Sequence, residues 1–85
     1  MKRNIRIEEV GDINSEYPYL EFFFNGDTSP FLEIAIFNKE LSFKIYSLAK
    51  SIILSNDEWT YIQKTANDFL PKALKNEDDF KNSYL

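Results

Sequence analysis

Phe31-Leu32-Glu33-Ile34-Ala35-Ile36-Phe37-Asn38-Lys39-Glu40-Leu41-Ser42-Phe43-Lys44-Ile45-Tyr46 decides the fold. Apolar side chains recur at every second position on both sides of Asn38-Lys39, the period of a half-buried strand. Asn at the first position of a two-residue connection suits a tight hairpin. If Phe37 opposes Glu40, then Ile36 meets Leu41, Ile34 meets Phe43 and Leu32 meets Ile45. All three pairs are apolar and share one face.

The pattern extends both ways from this hairpin. Tyr19–Phe24 reads as an aromatic strand. It is separated from Phe31 by Asn25-Gly26-Asp27-Thr28-Ser29-Pro30, residues of turn chemistry. Setting Leu20, Phe22 and Phe24 against Ile36, Ile34 and Leu32 continues the apolar face. Ile5–Val10 alternates apolar and charged residues and reads as the first strand, with a loop over 11–18. On the far side, Ser51–Leu54 is expected to pair with the Glu40–Tyr46 strand across Ser47-Leu48-Ala49-Lys50. The period then changes. Ser55-Asn56-Asp57-Glu58 is a capping box, in which the Ser hydroxyl accepts from the Glu58 N–H while the Glu58 carboxylate reaches back. Trp59, Ile62, Ala66, Phe69 and Ala73 follow at helical spacing, with Trp59 expected as a core anchor between helix and sheet. Pro71 is expected to end or kink the helix, and residues 77–85 form either a short second helix or a frayed tail. The fold class is therefore α+β: an antiparallel meander of four to five strands with one C-terminal helix packed on one face, in a single domain over residues 1–85.

Charge is distributed unevenly. Residues 7–38 hold seven carboxylates (Glu8, Glu9, Asp12, Glu16, Glu21, Asp27 and Glu33) and no Lys or Arg, in a chain of net charge −4. Such a field attracts a basic partner and repels nucleic acid and anionic membrane. The registers also define what points away from the helix: Tyr19, Glu21, Phe23, Phe31, Glu33, Ala35, Phe37, Glu40, Ser42, Lys44 and Tyr46. Glu33 faces Lys44 there, a favourable cross-strand pair. Five aromatic residues on that face exceed what a solvated surface needs, and clustered exposed aromatics mark interfaces. The residues expected to bind a partner are Glu9, Asp12, Glu16, Tyr19, Glu21, Phe23, Asp27, Phe31, Glu33 and Phe37. A simpler reading covers the same face with a second copy or with Phe80, Tyr84 and Leu85.

Catalytic and cofactor chemistry finds no support in the sequence. There is no His and no Cys, which removes the commonest general base, thiol nucleophiles and thiolate metal sites. Glu8 and Glu9 are adjacent on a strand and diverge. Glu77-Asp78-Asp79 sits where a helix start prefers acids. The Asn25–Ser29 turn lacks calcium-loop spacing, and two glycines, Gly11 and Gly26, do not make a phosphate loop. No catalytic residue, cofactor or metal is expected, nor nucleic-acid or membrane binding. No apolar run approaches the roughly 20 residues of a membrane span. After the basic Met1-Lys2-Arg3-Asn4, Ile5 and Ile7 alternate with charges, unlike a secretory leader. The expectation is a soluble cytoplasmic protein, and the Lys-, Asn- and Ile-rich usage points to a bacterial source.

Phe31-Leu32-Glu33-Ile34-Ala35-Ile36, Glu40-Leu41-Ser42-Phe43-Lys44-Ile45-Tyr46 and Ile53-Leu54-Ser55-Asn56-Asp57-Glu58-Trp59, in an acidic chain without His or Cys, resemble the sheet-then-helix layout of small immunity proteins of bacterial toxin–immunity systems, such as contact-dependent growth inhibition and related polymorphic toxins. The resemblance covers about half the chain and carries over no contact residues. It implies a protein without chemistry of its own that binds a cognate basic toxin domain, often a nuclease, and blocks its active site or its route to substrate. The alternative is a structural or regulatory accessory protein that homodimerises through the outer sheet face. A nucleic-acid mimic would need carboxylates spaced like phosphates, and a small enzyme would need a carboxylate of raised pKa in a cleft.

Overall fold

A computed structural model describes residues 4–11, 13–14, 16–46 and 51–82, with side chains up to residue 75. Four strands, β1 (Ile5–Val10), β2 (Tyr19–Phe24), β3 (Leu32–Phe37) and β4 (Glu40–Ile45), form one antiparallel sheet in the order β1-β2-β3-β4. One helix, α1 (Asn56–Asn82), follows. The α+β meander with a single C-terminal helix is the architecture expected from the periodicity.

The β3–β4 hairpin has the predicted register, from Phe37 opposite Glu40 to Leu32 opposite Ile45. Asn38 and Lys39 lie at φ 53° and 63°. Positive φ at both central residues is the type I′ geometry whose twist matches that of the flanking strands. The β2–β3 register differs from expectation: Leu20 pairs with Ile34 and Phe22 with Leu32, a slip of two residues. An even slip keeps every side chain on its face, so the apolar surface survives intact. The slip lets β2 overshoot the start of β3. There the Phe31 amide donates to the Phe22 carbonyl at 2.9 Å, while Leu32 is the ladder partner of Phe22. Two residues of the incoming strand thus stand against one of β2, as in a β-bulge. This irregularity breaks the alternation and turns Phe31 toward the helix. Its ring stacks on Phe24, with centroids 3.9 Å apart.

The core lies between sheet and helix. Leu20, Phe22, Phe31, Leu32 and Ile34 meet Ile62, Ala66, Phe69 and Ala73, with Ile5, Ile7, Phe24, Ile36, Leu41, Ile52 and Leu54 packed around them. The capping box forms as expected. The Glu58 amide donates to Ser55 Oγ at 3.1 Å, and the Ser55 amide donates to Glu58 Oε1 at 2.8 Å. One turn before Ile62, at the i, i+4 spacing, stands Glu58, not Trp59. Accordingly Glu58 is the residue buried at the head of the stripe, and Trp59 is 45% exposed on its margin. The expected role of Trp59 as a core anchor is therefore incorrect. Two further expectations fail. Ser51–Leu54 is not a strand, although Ile52 and Leu54 still pack against the core. Of the stop or kink expected at Pro71, the stop does not occur, since the helix continues through it to Asn82. The 77–85 alternatives resolve to a continuation of α1 as far as residue 82. The Ser47–Lys50 connection and residues 83–85 lie outside the described residues.

Candidate functional site

The ladder arranges the outer face in rows. Glu8 pairs with Glu21, Glu21 with Glu33, and Glu33 with Lys44, so a line of three carboxylates crosses the sheet and ends on one ammonium. Like charges directly opposite each other oppose strand pairing. Within the row, Glu21 faces a carboxylate on both sides, whereas Glu8 is near Arg6 and Glu33 accepts from Tyr46. On the side nearer the β2–β3 loop, Arg6 pairs with Phe23. Its guanidinium lies 4.3 Å from the Phe23 ring centroid, donates to the Asp27 carbonyl at 3.3 Å and approaches Glu8 at 3.7 Å. Phe23 itself is only 3% exposed, a large apolar side chain with a cation–π contact on the outer face.

On the other side of the row, Glu16, Tyr17, Tyr19, Glu33, Ala35, Ile36, Phe37 and Asn38 line a groove of about 450 Å³. Phe37 stands 71% exposed at its wall, and Ile13 is fully exposed in the loop that carries Glu16 and Tyr17. Glu33 joins groove and row. Its Oε1 accepts a hydrogen bond from the Tyr46 hydroxyl at 3.1 Å, and Lys44 Nζ sits 5.0 Å from the Tyr46 ring centroid. Burial raises the Tyr46 phenol above the ordinary tyrosine value, and the Glu33 carboxylate raises it further by accepting its proton in a hydrogen bond. Lys44 acts in the opposite direction.

Of the residues expected to bind a partner, Glu16, Tyr19, Glu33 and Phe37 converge on this groove, and Glu21 adjoins it through the acidic row. Phe23 belongs to the face but is buried. Asp27 lies in the turn at the opposite end, where its carbonyl holds Arg6. Glu9 is opposite Leu20, which places it on the helix side of the sheet, exposed at its rim. Phe31 is corrected from the outer face to the core. Asp12 lies outside the described residues, as do the side chains of Phe80, Tyr84 and Leu85. Sequence reasoning missed Glu8 and Tyr17. The register of the first strand against Tyr19–Phe24 would have aligned Glu8 with Glu21; that pairing needs the length of the 11–18 loop.

Among the described residues, no group of carboxylates is arranged to hold a metal ion, and no helix is long and apolar enough to cross a membrane. A four-stranded meander with one covered face and one acidic, aromatic face is a scaffold that presents a surface. Comparison with protein-family models, curated proteins and solved structures finds no match to this chain.

Proposed function

We propose that this protein is an inhibitory binding protein of the immunity type. It would act in the bacterial cytoplasm and hold a cognate basic toxin domain, a nuclease being the natural class, against its outer sheet face. The observation that carries this reading is the Glu8–Glu21–Glu33 row beside a groove walled by Tyr19 and Phe37. A lysine or arginine from a partner would relieve the repulsion within the row, while the aromatic wall supplies apolar contact. The acids speed encounter and the groove sets the lifetime of the complex. Homodimerisation through this same face is the poorer reading, because face-to-face pairing would bring two such rows together.

The test is capture from native cells at low salt, followed by co-expression of the captured protein with variants. The expected result is one predominant basic protein whose expression arrests growth, with arrest relieved by the wild-type chain. Glu16→Lys with Glu21→Lys should abolish the relief, whereas Glu9→Lys, on the helix side, should preserve it. Relief by the double variant equal to wild type would remove the outer face from the mechanism.

A further inference from the structure

Among the described residues the sheet has two open edges, and they differ. On the β1 edge, Arg6 is already engaged by Phe23, Glu8 and the Asp27 carbonyl. Glu9 sits on the helix side of that edge, the inward-pointing charge with which proteins guard a strand. The β4 edge carries no such guard. Its pairing with β3 starts from a two-residue hairpin, so Phe37/Glu40, Ala35/Ser42 and Glu33/Lys44 are the hydrogen-bonded pairs. The bond from the Tyr46 amide to the Phe31 carbonyl at 3.1 Å continues the same parity. The N–H and C=O groups of Leu41, Phe43 and Ile45 therefore point to the open edge. Phe43 is substantially exposed, and Ile45 is 71% exposed.

We propose that the β4 edge pairs antiparallel with β4 of a second copy, about a two-fold axis at Ser42, to form a continuous eight-stranded sheet. The sequence is self-complementary in this register. Ser42 faces Ser42, Leu41 faces Phe43 on the helix side, and Glu40 faces Lys44 on the outer side, each of the last two pairs twice by symmetry. Leu41 and Phe43 occupy the hydrogen-bonded positions, as the outward N–H and C=O groups require. Every other register of the same parity loses both ion pairs. In that one arrangement the two charges on the outer side of this edge attract each other across the two-fold axis. The contact is small, so a micromolar dimer is expected. It leaves the outer faces open side by side, and it stands independently of the toxin-binding reading.

Sedimentation velocity up to millimolar protein tests it. A monomer–dimer equilibrium is expected. Glu40→Lys sets two lysines against each other, and Lys44→Glu sets two glutamates against each other, so each should weaken the dimer about tenfold or more. An equimolar mixture of the two variants should restore it. In the mixed dimer the introduced lysine of one chain faces the introduced glutamate of the other, and the native Lys44 faces the native Glu40. The chain has no Cys, so Ser42→Cys is a clean probe. Residues directly opposite in a non-hydrogen-bonded pair have Cα atoms about 4.5 Å apart, within the span of a disulfide. Ser42→Cys should cross-link on mild oxidation much faster than Ser29→Cys in the β2–β3 loop. A wild type that stays monomeric, a mixture no tighter than its components, or equal cross-linking at 42 and 29 each overturns the proposal. Should Lys44→Glu fail to fold beside Glu33, the cysteine pair decides alone.

Discussion

The two faces of the same four strands are built on opposite terms. On the helix side, Phe22 and Ile34 are completely buried against Ile62, and the residues agree with what folding asks of them. On the outer side, Glu8, Glu21 and Glu33 stand opposite one another, Phe37 projects into solvent, and Phe23 makes a cation–π contact with Arg6. The contrast teaches that the core packing is concentrated on one side of the sheet, while the other carries the row of like charges.

The largest test of this division is Phe22→Ala, which opens a cavity under the helix. It should cost about 3–5 kcal/mol in chemical denaturation, a large part of the stability of so small a domain. Glu21→Gln should do the reverse. Removing the central charge of the acidic row is expected to raise stability by about 0.2–1 kcal/mol, with the gain shrinking as salt screens the row. A loss of stability in this variant would mean that the acids serve the fold, and the contrast between faces would fail. The smallest effect concerns Tyr46. Its pKa is raised by burial and by Glu33, so the folded protein holds the phenolic proton more tightly than the unfolded chain does. The associated stability is complete below the ordinary tyrosine value and is lost as pH rises through the folded value. The difference between ultraviolet titrations of wild type and Tyr46→Phe should place this phenol above an ordinary tyrosine, and Glu33→Gln should bring it part of the way down. A Tyr46 unmoved by Glu33→Gln would detach it from the acidic row.

The helix side was legible in the sequence because period-2 and helical patterns are local. Leu32, Ile34, Ile36 and the Asn38-Lys39 turn fix the hairpin, and Ser55 and Glu58 fix the helix start. The errors arose where local rules meet tertiary choice. The irregularity at Phe31 follows from how far β2 overshoots β3, which the loop sequence leaves open. Trp59 satisfies an i, i+3 spacing to Ile62, but the buried stripe follows i, i+4 to Glu58. Pro71 is an ordinary helix stop by propensity, overridden here in a helix anchored on both sides of it by Phe69 and Ala73. For the candidate site, the chemical character of the outer face was readable but its grouping was not. Glu8, Glu21 and Glu33 become neighbours only once strand registers are known, and Glu9 leaves the site for the same reason.

The order of elements along the chain has a consequence for biosynthesis. Each strand of the meander pairs with its neighbour in sequence, so the sheet can assemble hairpin by hairpin as it leaves the ribosome. Its apolar side is complete when Ile45 emerges, but the side chains that cover it, Ile62 to Ala73, come later. At about 5–20 residues per second, the nascent sheet spends a second or more with Phe22, Leu32 and Ile34 uncovered. During that interval the chain is most exposed to aggregation and most in need of a chaperone.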